Sequence, residues 1–335
     1  MITFIPVTGP IGAAAMRWVN CVMKVVLHIG AHLTGTSTFQ DYMHRHVAPL
    51  QEAGVRYWGP QQTRGGLFRG LFPEPLNALV RDARRRAEGR VKLRLRAVEA
   101  SGAQTLIVSD ANMAGPLGDM IDDNRLYGGI AGRMARFARA FEGYPTTVVF
   151  SPRSLERYWS SALSHGVACG HTIPDRDKLR AIAQSLRGWR EVITDLARAL
   201  PGVEIRVMPF ENFIGRSEVF LARAADVDAP KDMDRAWLNP APNLAALRRA
   251  LIARGIAGAV LPFGMDRWNP FTPEENAALR ETYADDMMWL VAGADGLATL
   301  TEDQARTRAG TTLPAGAQTQ GHADEHEERQ VARPG

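Results

Sequence analysis

Short runs of β-branched and other apolar residues recur along the first two thirds of the chain, and each ends near small or turn-forming residues. They lie at residues 24–29, 105–108, 146–150 and 204–207. Long stretches with helical apolar spacing separate them, at residues 36–47, 76–100, 129–141, 154–166 and 177–200. Buried strands that alternate with helices predict a parallel sheet with right-handed crossovers.

The pattern changes after residue 210, where the strand-like runs fade and helical spacing continues. Helices are predicted at residues 218–225, 244–254 and 273–291, and Thr272 supplies an N-cap for the last one. The predicted fold is therefore α/β, with a P-loop-like parallel sheet flanked by helices and C-terminal helical packing, in a single domain over residues 23–300. Residues 301–335 hold almost no large apolar side chain, which predicts a disordered tail.

The N-terminal residues 1–22 are left outside the predicted domain, as a disordered extension or the product of a start codon assigned too early. No Lys or Arg precedes Arg17, so the charged start of a secretory signal is missing. The two cysteines, Cys21 and Cys169, have neither a zinc-site spacing nor the number that a disulfide framework needs. These features favour a reducing compartment and predict a cytoplasmic protein without a metal.

Composition narrows the classes of partner. The chain has 335 residues, 45% of them hydrophobic, and a formal net charge of +4. No uncharged apolar run approaches the roughly 20 residues that a membrane-spanning helix needs, so no transmembrane segment is expected. The arginine-rich stretches at residues 81–96 and 133–139 are interpreted as solvated faces of helices rather than as a nucleic-acid site.

The segment from His28 to Thr38 follows a predicted strand and opens a predicted helix, where backbone N–H groups and the helix dipole converge on an anion. Two glycines permit tight turning, and the hydroxyl residues offer donors. The candidate phosphate-binding residues are Gly30, Thr34, Gly35, Thr36, Ser37 and Thr38. The plainer interpretation is an ordinary strand, turn and helix with a Ser/Thr cap.

A second candidate site follows the strand at residues 146–150. Arg153, Arg157 and Ser161 recur at four-residue intervals, which predicts one polar stripe that could hold a phosphate if the helix starts near Pro152, with Ser151 as its cap. The alternative is an amphipathic surface helix in which Glu156 pairs locally.

These segments resemble two motifs of the sulfotransferase family, in particular its bacterial carbohydrate-type members. The run Leu33-Thr34-Gly35-Thr36-Ser37 is similar to the 5′-phosphosulfate loop, typically Lys-Thr-Gly-Thr-Thr, and Arg153 and Ser161 have the spacing of the 3′-phosphate site. Weaker similarities lie at residues 107–110 and 209–213. The resemblance covers about residues 24–243 and implies that the donor substrate is 3′-phosphoadenosine 5′-phosphosulfate, that no metal is needed, and that the acceptor is a hydroxyl on a carbohydrate or small metabolite.

The chain departs from the family at Leu33, where the resemblance implies a lysine that stabilises charge on the departing phosphate. An isobutyl group cannot perform that role. One alternative is therefore a degenerate protein of the same fold that binds a nucleotide or glycan without turnover. A nucleotide or phosphoester kinase is a further alternative, which Thr36 disfavours because it stands where the P-loop lysine would be.

Sulfuryl transfer needs a base for the acceptor proton, and Asp110 is a candidate at the end of a predicted strand, where open α/β sites form. It is placed first because the resemblance to carbohydrate-type sulfotransferases implies a carboxylate in this role. His32 is the second, and when protonated it could also supply substitute positive charge. His28 is another possible base, but its apolar neighbours favour a core residue. Asp110 has a plainer interpretation too, as a turn cap. Acceptor specificity is expected from the loops at residues 61–73 and 169–175.

Overall fold

Six parallel strands form a single sheet in the order β2-β3-β1-β4-β5-β6. The strands are β1 Lys24–His28, β2 Val55–Trp58, β3 Thr105–Ser109, β4 Thr146–Phe150, β5 Glu204–Val207 and β6 Thr299–Leu300. The computed structural model describes residues 22–72, 80–233, 238–257 and 260–303. The predicted tail and N-terminal extension fall almost wholly outside these residues.

The predicted α/β class and parallel sheet are confirmed, and four of the strands lie where the apolar runs placed them. Two strands were not predicted. The first, β2, has only four residues, of which Arg56 and Tyr57 are not typical of a buried run, and the second, β6, has two residues. Both lie at the edges of the sheet, where a short strand needs little apolar signal.

Helices cover both faces of the sheet. They are α1 Thr36–Arg45, α2 Val47–Glu52, α3 Pro60–Gln62, α4 Val80–Ala100, α5 Leu117–Asp122, α6 Ile130–Ala140, α7 Leu155–Ala168, α8 Arg176–Ala183, α9 Trp189–Ala199, α10 Phe210–Phe213, α11 Ser217–Ala225, α12 Leu244–Ala253 and α13 Pro273–Val291. The single helix predicted over 177–200 is wrong, because residues 184–188 separate α8 from α9. The three C-terminal helices are confirmed, and Thr272 caps α13 by accepting from the N–H of Glu275.

Alternation along the strands divides the core between the two faces. Val25 and Leu27 of β1 belong to one buried cluster together with residues of α4, α6, α7 and α9, while Val26 belongs to a second cluster with residues of α1 and α11. Within the described residues, no helix is both long enough and apolar enough to cross a membrane. The chain divides into two units, Met1–Glu302 and Asp303–Gly335, and the sheet and all these helices belong to the first.

The strand order places a crevice beside β1. From β1 the chain passes to β2 and β3 on one side of the sheet, whereas β4 on the other side leads outward to β5 and β6. Ligands of open α/β sheets bind outside the carboxyl ends of the strands at such a switch point. The two segments that sequence analysis selected, after β1 and after β4, therefore meet at this place.

Candidate functional site

The loop between β1 and α1 depends on residues with left-handed backbone conformations. Gly30 has φ +102° and Gly35, at the N-cap of α1, has φ +79°, values that favour glycine. A Cβ at Gly30 would lie 3.1 Å from the backbone nitrogen of His32 and 3.2 Å from Cβ of Ala111. The loop is also bonded to the segment after β4, since the N–H of Ser151 donates to the Gly30 carbonyl at 2.6 Å.

Within the described residues, the first N–H groups of α1 have no hydrogen-bond acceptor. Its first helical hydrogen bond runs from the N–H of Phe39 to the carbonyl of Gly35 at 3.0 Å. The N–H groups of Thr36, Ser37 and Thr38 therefore have no acceptor within the helix, and Gly35 has no side chain that could cap them. The loop thus presents the backbone donors and the positive dipole end that an anion needs.

The predicted hydroxyl residues mostly stabilise the loop itself. The hydroxyls of Thr34 and Thr36 donate to the carbonyl of Ala31 at 2.8 and 3.3 Å, and the hydroxyl of Thr38 accepts from the N–H of Leu238 at 3.1 Å. Ser37 is half-buried in the first turn of α1. Backbone N–H groups, more than hydroxyls, are therefore the donors that this loop offers to a ligand.

The predicted polar stripe on α7 is corrected by the position of the helix start. The helix begins at Leu155 with Ser154 at its N-cap, so Arg153 lies in the extended segment before the helix. Arg157 is exposed, whereas Arg153 and Ser161 are buried. The three side chains therefore do not form one continuous face, because Arg153 is buried before the helix begins while Arg157 is exposed on the helix.

Arg153 connects the two predicted motifs. Arg153 is only 7% exposed. Its Nη1 donates to the carbonyl of Leu33 at 2.9 Å, and its guanidinium carbon lies 4.9 Å from the centre of the Phe210 ring. Its Nε is buried without a hydrogen-bond partner among the described residues. Desolvation lowers the pKa of Arg153 to about 10, which still leaves it a cation at neutral pH.

A pocket lies between the loop and a group of aromatic side chains. The space inside it is small, about 30 Å³, which holds little more than one water molecule. Thr34, Gly35, Thr38 and Ser151 line one part, and the opposite part is lined by Phe39, Phe210, Phe213 and Phe220. The hydroxyl of Ser151 is buried and has no hydrogen-bond partner among the described residues. Aromatic side chains and a few polar groups thus border the same small space.

The other side of the loop is polar and is organised by Asp110, which follows β3 and is 0% exposed. Its carboxylate accepts from the hydroxyl of Thr63 at 2.6 Å, from Nη2 and Nε of Arg64 at 2.6 and 3.1 Å, and from the N–H of Asn112 at 3.0 Å. The last bond makes Asp110 the N-cap of the turn Ala111–Met113, as its plainer interpretation expected. Proton abstraction by Asp110 would require release of one of these donors.

His32 lies beside this carboxylate and is partly buried. Its backbone N–H donates to the hydroxyl of Tyr127 at 2.8 Å, and its two ring nitrogens lie 2.9 Å from that hydroxyl and 3.2 Å from Oδ1 of Asn112. Desolvation is the main cause that lowers the pKa of His32 to about 4, and nearby Arg64 acts in the same direction. His32 is therefore neutral at pH 7 and supplies no positive charge there.

His28 occupies a core position. Its ring is 2% exposed, lies 5.2 Å from the ring of Phe39 and 5.0 Å from that of Phe220, and its Nδ1 is 2.9 Å from the hydroxyl of Ser109. Burial lowers the pKa of His28 to about 4. This environment agrees with the interpretation of His28 as a core residue that also borders the aromatic pocket.

Sequence reasoning missed several residues of the site. Arg64 and Thr63 lie in the turn Thr63–Leu67, inside a segment that was assigned only to acceptor specificity, and Tyr127 was not selected. None carries a periodic or motif signal, because each reaches the site through contacts distant in sequence. Phe210 and Phe213 did lie in one of the weaker family similarities.

No family model matches the chain, no curated protein matches it, and no solved structure matches its fold. The sulfotransferase resemblance therefore stays a prediction from short motifs. In the described ranges, no group of three or more His, Cys, Asp or Glu residues could hold a metal ion.

Proposed function

We propose that this protein binds 3′-phosphoadenosine 5′-phosphosulfate and transfers its sulfuryl group to a hydroxyl of a carbohydrate or small metabolite. The observation that carries the proposal is the buried guanidinium of Arg153, which bonds to the carbonyl of Leu33 while its Nε has no partner among the described residues. A buried cation with a missing hydrogen bond suits a bound anion.

The 5′ end of the donor belongs on the loop. The N–H groups of Thr36, Ser37 and Thr38 point out of the first turn of α1, where they and the helix dipole favour negative charge. The family resemblance assigns the 5′-phosphosulfate to the same residues. The unpaired donors of α1 therefore support this assignment independently of the motif.

The 3′-phosphate and the adenine are assigned to the other groups of the crevice. Arg153 is the cation for the 3′-phosphate, and Ser161, buried on α7, is its predicted companion. The purine is assigned beside the aromatic side chains of this pocket, because Phe210 borders both the pocket and the guanidinium of Arg153, and these side chains have to move apart to admit a ring. Aromatic faces and edges bind flat rings by stacking and edge contacts.

In the proposed reaction the acceptor oxygen forms a new bond to sulfur as the bond from sulfur to the bridging phosphate oxygen breaks. The electron pair of that bond stays on the phosphate, so the products are a sulfate ester and 3′-phosphoadenosine 5′-phosphate. The proton of the hydroxyl passes to a base, for which Asp110 and His32 are the candidates. The site has to hold the acceptor and leaving oxygens in line and stabilise the charge on the latter.

Binding without turnover is a second candidate function, and Leu33 is the observation that favours it. Its side chain packs against the hydrophobic core rather than offering charge to a ligand. The kinase alternative has less support, because Thr36 stands at the sequence position of the P-loop lysine that contacts phosphates. The hydroxyl of Thr36 donates to the carbonyl of Ala31 instead.

Calorimetry tests the proposal without knowledge of the acceptor. We expect 3′-phosphoadenosine 5′-phosphate to bind at least tenfold more tightly than AMP, a difference of about 1.4 kcal/mol. The reason is that AMP lacks the 3′-phosphate that Arg153 is proposed to bind. ADP serves as a control with a second phosphate at the 5′ position. Equal affinity for all three nucleotides, or no binding of any, would contradict the proposed donor.

A further inference from the structure

Arg64 has one protected edge and one accessible edge. Its Nε and Nη2 both bond to the carboxylate of Asp110, which is completely buried, while the Arg64 side chain as a whole is 47% exposed. A guanidinium bound sideways in this way still has the hydrogens of Nη1 and one hydrogen of Nη2 for another acceptor. Nη1 has no hydrogen-bond partner in the described segments.

The position of this guanidinium is fixed by its surroundings. Asp110 also accepts from the Thr63 hydroxyl and the Asn112 N–H, so the carboxylate that holds Arg64 cannot turn without losing two further bonds. Arg64 itself lies in the turn Thr63–Leu67, whose backbone is kinked at Gly66, with φ +126°. A cation held in place before a ligand arrives needs little reorganisation to stabilise negative charge.

Arg64 is placed beside the first part of the loop, on the side away from Arg153. The N–H of Asp110 donates to the carbonyl of His28 at 3.1 Å, and Asn112 lies within hydrogen-bonding distance of the His32 ring. In this part of the loop His32 is neutral and Leu33 is apolar. Arg64 is thus the positive charge that this polar group offers to an anion.

We propose that Arg64 is an anion-binding residue that contacts the sulfuryl end of the donor, and that Asp110 acts as the positioning residue that holds it. This assignment rests on the proposed function and deepens it, because it names a charge for the group that is transferred. It also gives Asp110 a role that differs from the predicted general base.

The test compares two nucleotides that differ only at the sulfuryl group. Calorimetry would measure the affinities of 3′-phosphoadenosine 5′-phosphosulfate and 3′-phosphoadenosine 5′-phosphate for the wild type, Arg64→Gln, Arg64→Lys and Asp110→Asn. We expect Arg64→Gln to weaken the phosphosulfate about tenfold more than the bisphosphate. Asp110→Asn should shift this ratio in the same direction, and Arg64→Lys should keep part of it because the charge remains. Arg86→Gln, on the exposed face of α4, is the matched control.

Each other result overturns a defined part of the assignment. An unchanged ratio in Arg64→Gln, with binding intact, excludes contact with the sulfuryl group, and an equal loss for both nucleotides does the same. A ratio that changes in Arg64→Gln but not in Asp110→Asn, where only turnover falls, makes Asp110 a base instead of a positioning residue. If Arg64→Gln does not fold, Arg64→Lys is the deciding variant. An affinity ratio of the two nucleotides equal to that of the wild type would then show that the bidentate contact of Arg64 with Asp110 has no role in binding. Wild-type protein that binds neither nucleotide overturns the proposed function and this assignment together.

Discussion

The two sides of the loop after β1 each hold an arginine, but they compensate its charge in opposite ways. Arg64 pairs with the buried carboxylate of Asp110 and keeps one edge toward solvent. Arg153 is buried against Phe210 and a backbone carbonyl, and no carboxylate of the described residues forms an ion pair with it. The charge of Arg64 is therefore paired without a ligand, whereas Arg153 has the Coulombic influence of Glu211 and Glu156 but no bonded carboxylate among the described residues.

This difference separates stability from binding. Loss of Arg64 leaves a fully buried carboxylate with two neutral donors, which destabilises the fold. Loss of Arg153 removes a desolvated cation and its single hydrogen bond to Leu33, so most of the effect is expected in the ligand complex. A site that keeps a desolvated cation without a bonded carboxylate follows the general trade of stability for function.

The largest expected effect is on ligand binding by Arg153→Met, which removes the charge but keeps much of the apolar contact with Phe210. Its affinity for 3′-phosphoadenosine 5′-phosphate should fall by about 1.5–3 kcal/mol, the range of a charge-assisted hydrogen bond, while its affinity for AMP changes little. Calorimetry measures both. In thermal unfolding without ligand, Arg64→Gln should lose more stability than Arg153→Met. If Arg153→Met lowered the affinity for both nucleotides equally, Arg153 would not contact the 3′-phosphate.

Local sequence patterns predicted the loop after β1 better than they predicted the pair of Arg64 and Asp110. The strand β1, Gly30, Gly35 and the start of α1 follow from neighbouring residues, because backbone conformation there is set by glycine and by the first helical turn. The pair of Arg64 and Asp110 joins residues 46 positions apart, and no periodicity reports such a contact. A tertiary contact also explains the wrong stripe on α7, since the Ser154 N–H donates to Glu211 at 2.9 Å where the helix begins.

The next largest effect concerns Leu33, whose carbonyl accepts a hydrogen bond from Arg153. If the site is a weakened transferase, Leu33→Lys should speed hydrolysis of 3′-phosphoadenosine 5′-phosphosulfate without an acceptor by one or two orders of magnitude, or about 1.4–2.8 kcal/mol. The carbonyl of Leu33, which accepts from Arg153, is unchanged by the substitution. Leu33→Met is the uncharged control. No gain from lysine with intact nucleotide binding would favour recognition without turnover.

The same substitution also sharpens the role of Arg64. In the background of Arg64→Gln, an ammonium at position 33 should restore part of the preference for the phosphosulfate, because both cations would act on the same anionic end. Restoration by lysine and not by methionine would connect the two positions through charge. No restoration by Leu33→Lys in the Arg64→Gln background would mean that the two groups contact different parts of the ligand.

The smallest expected effect is at Ser151, whose hydroxyl is buried in the wall of the aromatic pocket without a partner among the described residues. Ser151→Ala should lower the affinity for 3′-phosphoadenosine 5′-phosphate by about 0.5–1.5 kcal/mol, the net value of one hydrogen bond, if a ligand supplies the missing partner. Unligated stability should not fall, because no bond within the protein is lost. Ser164→Ala is the matched control, since that buried hydroxyl donates to the carbonyl of Ser160 within α7, and it should reduce stability slightly and leave affinity unchanged. Calorimetry and thermal unfolding of both variants measure the contrast. A fall in the stability of Ser151→Ala with unchanged affinity would show that this hydroxyl serves the fold, and the nucleotide would then have to lie elsewhere in the crevice.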